Sequence, residues 1–344
     1  MTPESILSYP YPALPSPGGS LAVAPGVHWL RMPLPFALNH INLWLLEDEG
    51  GWTVVDSGLG SAATRALWDE FFGSPAGAQP LRRVIVTHHH PDHAGNAGWL
   101  TRRFGVDLWM SHSEFLSAHA LLEPLNGFSH TQRLAMFARN GLEPEHLRKL
   151  RDRGNGYRIG VPEFPSAYRR LSDGLMVRIG GRDWRVIMGY GHSPEHAALH
   201  CEELQVLISG DMVLPKITTN VSVVSIEPEG NPLKLFLDSL GRFAALPAET
   251  LVLPSHGLPF VGLRERIAQL DEHHRLRLAE LLEACERPQS AAAVIPTLFR
   301  RELDAHQLYF AMGEAMAHLH FLRESGQVSR EVHGGGIFRF VRAT

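Results

Sequence analysis

Cysteine is scarce in this chain: Cys201 and Cys285 are the only two among 344 residues. They lie far apart and neither has a CxxC neighbour, which excludes a disulfide framework; two buried thiols in a reducing compartment are expected. Long apolar runs are also missing. No stretch approaches the ~20 apolar residues that a bilayer-spanning helix needs. The opening Met1-Thr2-Pro3-Glu4-Ser5 lacks the basic patch and apolar run of a secretory signal, so a cytoplasmic location is expected. There is no surplus of positive charge. The net charge is −4, and residues 262–344 hold eleven Arg, no Lys and eleven Asp plus Glu. That balance lacks the basic footprint of a nucleic-acid binder and gives no general pull toward anionic membrane.

What is present is an ordinary globular composition, 44% hydrophobic and 20% charged. A chain this long removes roughly three quarters of its unfolded surface from water, enough for one domain or two. Residues 1–25 are rich in Pro, Gly and Ser and are expected to form an irregular arm. A main domain is expected over 26–262. Strand-like runs at Val27–Leu30, Ile41–Leu46, Trp52–Val55, Val84–Val86 and Val106–Met110 alternate with helices over Ser61–Phe72 and Gly95–Phe104, the pattern of a layered α/β fold. Residues about 112–170 differ: helical spacing at Ser129–Arg139 and Pro144–Arg153, with few β-branched residues, marks an insertion. Its Phe115, Leu121, Leu122, Phe128, Met136 and Phe137 either wall a site or pack the insertion itself. Strands resume at Leu175–Ile179, Trp184–Met188, Ala197–Cys201, Gln205–Ile208 and Leu251–Leu253. From 263 to 344 three helices, Arg264–Glu286, Ser290–Arg300 and Ala305–Glu324, precede a hairpin at Gln327–Val332 and Ile337–Val341. This is the outline of a winged-helix module.

Histidine is plentiful, with twenty in the chain, and its placement carries the chemistry. Thr87-His88-His89-His90-Pro91-Asp92-His93 sits where an apolar strand ends and a helix begins. His88 and His90 alternate by two and so face one side of an extended segment, while Asp92 and His93 lie past the bend and can address a second ion. His89 points away on this reading. Downstream, His192, Asp211 and His256 each follow a strand-like run, flanked by Gly191, Gly210 and Gly257, which suit tight turns. Imidazole nitrogen and carboxylate oxygen are ligands that zinc favours; iron and manganese are compatible with the same set.

The pattern His88-x-His90-x-Asp92-His93, followed by His192, Asp211 and His256, resembles the metallo-β-lactamase superfamily. Asp56, in Val54-Val55-Asp56-Ser57-Gly58, matches an aspartate that stands behind the metal ligands there. The resemblance spans about residues 25–262 and implies an αββα sandwich with the site at one edge. More loosely, the C-terminal helices and hairpin resemble the β-lactamase-like protein 2 and glyoxalase II-like branch. The resemblance implies that His88, His90 and His192 hold one divalent ion, that Asp92, His93 and His256 hold the other, and that Asp211 bridges them. One departure stands at the third motif, where Glu195 replaces a glycine in Gly191-His192-Ser193-Pro194-Glu195-His196.

Two ions about 3.5–4 Å apart can share a water and lower its pKa to about 7, giving hydroxide at neutral pH. Asp92 and Asp211 are therefore expected in the reaction itself, with Asp56 orienting a ligand or accepting a proton. His196 is either a proton donor or a core histidine, and His40 is expected to be structural. Tyr190, Glu195 and Lys216 are the candidate substrate-binding residues. The expected activity is hydrolysis of acyl-type substrates, a thioester or lactone. A metal-dependent nuclease or phosphodiesterase ranks second, and a non-catalytic metal-binding protein third. The expected partner is a small-molecule substrate, not nucleic acid or membrane, and homodimerisation is one role open to the C-terminal module.

Overall fold

Alternation of apolar side chains builds two cores at once. The computed structural model of the chain describes residues 7–36, 38–123 and 125–343. Seven strands, β1 (Leu21–Ala24), β2 (Val27–Pro33), β3 (His40–Glu47), β4 (Trp52–Val55), β5 (Leu81–Ile85), β6 (Asp107–Ser111) and β7 (Arg169–Leu171), form one sheet in that spatial order. Pairing is antiparallel as far as β4 and parallel from β4 to β7. A second sheet holds β8 (Met176–Ile179), β9 (Arg182–Gly189), β10 (His196–Cys201), β11 (Val206–Gly210) and β12 (Leu251–Pro254), in the spatial order β12-β11-β10-β9-β8.

β3 shows the division of faces. Ile41, Leu43 and Leu45 enter a core beneath helices, while Trp44 and Leu46 enter the core between the two sheets. A period of two residues requires this split. The helical side is covered by α1 (Ala62–Gly73), α2 (Pro91–Ala94), α3 (Ala97–Phe104) and α4 (His112–Leu122), which contribute Trp68, Phe71, Ala94, Ala97, Leu100 and Phe115. Ser61 caps α1 by accepting the Thr64 N–H at 3.2 Å. Gly105 ends α3 in the left-handed conformation, φ 65°, that glycine adopts without a Cβ penalty. Helices on one face of the first sheet and the second sheet on its other face give the layered α/β order expected from the sequence.

The chain divides into two compact units. The first contains residues up to Leu122, Tyr157–Thr219 and Ser239–Ile267; the second contains Glu123–Gly156, Asn220–Asp238 and Ala268–Thr344. The insertion helices α5 (His130–Arg139) and α6 (Pro144–Arg153) thus fold with the C-terminal elements, whereas the short α7 (Tyr157–Gly160) returns to the first unit. Of the remaining helices, α8 (Pro232–Ala244) and α9 (Leu263–Ala284) run across the unit boundaries, and α10 (Ile295–Leu298), α11 (Ala305–Glu324) and the hairpin β13 (Val328–His333) and β14 (Ile337–Arg342) lie in the second unit. A full capping box at Asp304 and Gln307 starts α11.

Three expectations need correction. The arm over 1–25 is not irregular throughout, since Leu21–Ala24 pairs with β2; its first six residues lie outside the described residues. The helix expected over Ser290–Arg300 shrinks to the single turn α10. Gln289 instead bridges Phe340 of β14, and the Ala292 N–H donates to Asn140 O, so this segment is held to its neighbours. Residues 169–171, placed in the insertion, form β7 of the first sheet. Among the described residues no helix is long and apolar enough to cross a membrane.

Trp68 is fully buried, stacks on Phe72 and donates Nε1–H to Ser57 O at 2.9 Å. Trp68→Ala should destabilise the first unit by about 3–5 kcal/mol, read as a lowered urea midpoint by circular dichroism.

Candidate metal centre

Strand ends supply the site one side chain at a time. β4 runs into Asp56, which adopts φ 63°, a left-handed conformation that a short polar side chain tolerates. Its Oδ1 accepts the Thr87 N–H at 2.8 Å, and its Oδ2 lies 2.8 Å from His93 Nδ1. A carboxylate only accepts, so Nδ1 carries a proton and His93 Nε2 is aimed into the site. β5 leads to His88 and His90, and α2, opening on Pro91, carries Asp92 and His93. The β9–β10 turn gives His192, the end of β11 gives Asp211, and the end of β12 gives His256.

These seven residues form two groups. His88, His90, His192 and Asp211 present ligand atoms within 4.8 Å of one another, and so do Asp92, His93 and His256. His88 Nε2 lies 2.9 Å from His90 Nδ1 and 3.1 Å from His192 Nε2. Asp211 faces both groups. Its Oδ2 is 3.4 Å from His192 Nε2, and its Oδ1 is 3.5 Å from both His93 Nε2 and His256 Nε2. Asp92 Oδ2 completes the second group, 3.4 Å from His256 Nε2 and 3.7 Å from His93 Nε2.

The electrostatics fit cations. Burial, reinforced by neighbouring imidazoles, pushes His88 and His90 well below the ordinary histidine range, which leaves their lone pairs free to bind metal. Burial acts in the same direction on His93 and His256, but Asp56, Asp92 and Asp211 around His93, and Asp211 and Asp92 around His256, outweigh it and raise both. Those carboxylates therefore call for positive charge in the space between them. The buried His93 Nε2 and Asp211 Oδ1 face each other there without a hydrogen-bond partner. An ion shared between them would satisfy both, so the residues present fit divalent metals.

A ring of further residues, which sequence reasoning missed or ranked as structural, holds the ligands in place. Glu114 is fully buried on α4. It accepts the His89 N–H at 2.9 Å and the Glu195 N–H at 2.8 Å, and it pairs with His89 Nδ1, so one carboxylate clamps both histidine loops. Burial opposes its ionisation, but the His89 ring and the Glu195 N–H outweigh it and hold the carboxyl at about 2. Asn42 on β3 donates to Pro254 O and Gly257 O, each at 2.8 Å, on either side of His256. His256 Nδ1 donates to His40 O at 2.8 Å, and the Gly257 N–H donates to His40 Nε2 at 2.9 Å. His40 therefore shapes the second group. No local motif marks Glu114 or Asn42, because their partners are remote in sequence.

The residues offered for catalysis or substrate binding take varied places. His196 Nε2 accepts the Asp211 N–H at 3.1 Å, and burial lowers its pKa to about 4, so it is neutral and holds backbone. Gly210 is required beside it: a Cβ there would meet His196 Nε2 at 2.2 Å, and φ is 53°. Glu195 Oε2 accepts the Ser113 N–H at 3.0 Å in the first turn of α4. The Tyr190 ring joins the inter-sheet core under Arg242, whose Cζ is 5.5 Å from its centroid, and Lys216 is exposed. Two of the insertion's apolar residues meet aromatic partners, one inside the insertion and one on α11. Phe115 stacks on Tyr168 with centroids 4.1 Å apart, and Phe137 meets Tyr309 edge-on at 5.7 Å.

Comparison with known proteins agrees with this geometry. Residues 38–256 match the family model described as the metallo-beta-lactamase superfamily, and residues 278–343 match the metallo-beta-lactamase-like C-terminal domain. The crystal structure of a beta-lactamase domain protein from Burkholderia ambifaria is similar, with 51% identity over 98% of both chains and a TM-score of 0.92. A probable metallo-hydrolase of Bacillus subtilis strain 168 is 24% identical over 326 residues, which are 90% of this chain and 96% of that protein. An acyl-coenzyme A thioesterase of Gallus gallus is 28% identical over 203 residues, or 55% of this chain and 63% of that protein.

Asp56→Asn should keep the fold and weaken metal binding by about 10–100-fold, measured by competition with a chromogenic chelator. Glu114 adds an acid-side signature. Its folded pKa, about 2, lies below the ordinary 4.5, so its contribution to stability is full above 4.5 and is lost as pH falls toward 2. The stability gap between wild type and Glu114→Gln should therefore narrow over that interval in urea titrations.

Proposed function

Because this chain belongs to the metallo-beta-lactamase superfamily and is a metal-dependent hydrolase, we propose that it cleaves acyl-type substrates, thioesters foremost and lactones next, at a two-ion zinc centre. The observation that carries the reading is Asp211, whose two oxygens are divided between two ligand groups. The thioester preference draws support from the name of the Gallus gallus relative.

His88, His90 and His192 would hold one ion and Asp92, His93 and His256 the other, with Asp211 shared. Bound divalent ions would supply Lewis acidity toward the acyl oxygen and acidify the attacking water. The chain's own groups do the rest. Asp56 fixes the His93 tautomer through Nδ1, and His196 Nε2 fixes the Asp211 backbone. Asp92 is the most open of the three carboxylates at 21% side-chain exposure, against 1% for Asp56 and 10% for Asp211. In this reading Asp92 takes the proton of the attacking water. Water adds to the acyl carbon, the carbon–sulfur bond breaks, and the proton held by Asp92 passes to the leaving sulfur, so an acid and a thiol are released. The steps above do not call on Glu195, Tyr190 or Lys216; the Glu195 carboxylate braces α4 and the Tyr190 ring packs, partly buried, against the inter-sheet core.

Chelation should abolish turnover, and zinc or manganese should restore it. Asp211→Ala should lose bound metal by elemental analysis and activity by at least about 100-fold. A panel of acyl thioesters, lactones and single-stranded RNA decides the substrate class; RNA cleavage without ester cleavage would overturn the acyl assignment.

A further inference from the structure

Arg31 is a cation without a counter-ion beside the metal centre. It is partly buried on β2, and among the described residues no carboxylate or hydrogen-bond acceptor engages its guanidinium. Several other arginines of the first unit do have partners: Arg83 binds Asp48, Arg65 and Arg102 bind Glu163, and Arg266 donates to Leu214 O and Ile217 O. A guanidinium taken partly out of water without an acceptor is unfavourable unless a ligand supplies one.

Its place is set by register. On β2, Val27 and Trp29 face the inter-sheet core, whereas Leu30 and Met32 face the helices, so Arg31 continues the inter-sheet face. It pairs with Asn42 across the β2–β3 ladder, and Pro33 pairs with His40. Trp29 Nε1 donates to Asn42 Oδ1 at 2.8 Å, which shows that these side chains share a face. Arg31 therefore stands next to the Asn42 and His40 pair that grips the His256 loop.

Neither neighbour neutralises it. His40 Nε2 accepts the Gly257 N–H and its Nδ1 lies 2.8 Å from Asn39 Oδ1, so the ring is engaged at both nitrogens as a neutral imidazole. Asn42 uses its amide on Trp29, Pro254 and Gly257. The site's carboxylates are directed at imidazoles.

We infer that Arg31 is an anion subsite at the rim of the metal centre, binding a carboxylate or phosphate that the substrate carries away from the bond that is cut. This rests on the acyl-hydrolase reading and adds a requirement for charge. In a thioester the anion can sit in the acyl half or in the thiol half, and the guanidinium fork takes either group through paired N–H donors.

Three probes separate these cases: S-acetyl-N-acetylcysteamine, which is uncharged; S-succinyl-N-acetylcysteamine, with an acyl carboxylate; and acetyl-coenzyme A, with phosphates in the thiol half. Arg31→Gln should raise KM for one charged probe at least about 10-fold more than for the uncharged one, with kcat little changed, and Arg31→Lys should recover part of the loss. The charged probe that responds identifies the half that docks. Equal changes on all three probes would overturn the inference while leaving the acyl-hydrolase reading intact. A wild-type enzyme inert toward all three would instead count against that reading. Direct binding then decides Arg31 by itself: inorganic phosphate or succinate should raise the thermal midpoint of metal-loaded wild type and not of Arg31→Gln. No shift in wild type, or the same shift in both, would overturn the subsite. Far-ultraviolet circular dichroism and metal content confirm that each variant is folded and loaded.

Discussion

Three carboxylates, Asp56, Asp92 and Asp211, are withdrawn from bulk water into a ring of imidazoles, and the rest of the first unit is arranged around that constraint. Buried negative charge is tolerated only where positive charge or hydrogen bonds answer it. Asp56 is answered by the Thr87 N–H and His93. Asp92 and Asp211 are answered across wider gaps by His192, His93 and His256. Those gaps are longer than the usual hydrogen bond and leave room for cations between the groups.

Keeping such a centre in shape takes a second tier of contacts, and these tie the two sheets together. The Asn42 N–H donates to Ser255 O at 2.7 Å and the Ala197 N–H donates to Thr87 O at 2.9 Å, each joining one sheet to the other at the ligand loops. Glu114 brings α4 into the same frame. Ligand spacing is therefore set by how the sheets dock.

Much of the centre was legible in the chain because every ligand follows a short apolar run: Val84–Val86 before the histidine cluster, Val186–Met188 before His192, Val206–Ile208 before Asp211, Leu251–Leu253 before His256. Strands buried on both faces read as such runs. The braces were not legible. Glu114 and Asn42 act across 81 and 212 positions, and an isolated polar residue carries no local sign of a partner so remote. β7, three residues with one buried, is defined by pairing with β6 and not by its own pattern. Helix α8 is a different case. Leu233, Phe236, Leu240 and Phe243 are all buried at helical spacing after Pro232, so its signal was present, yet it was not among the expected elements. The helix expected at Ser290–Arg300 failed because bridging to β14 prevailed over local preference.

The order in which the ligands appear along the chain bears on biosynthesis. Four of the seven, His88 through His93, leave the ribosome early and close together, while His256 and its Asn42 clasp cannot meet until β12 has been made. A growing chain therefore presents its histidine loop first, and the two ligand groups come together only as the second sheet docks on the first. Completion of the ligand set is in this sense the last step in assembling the first unit.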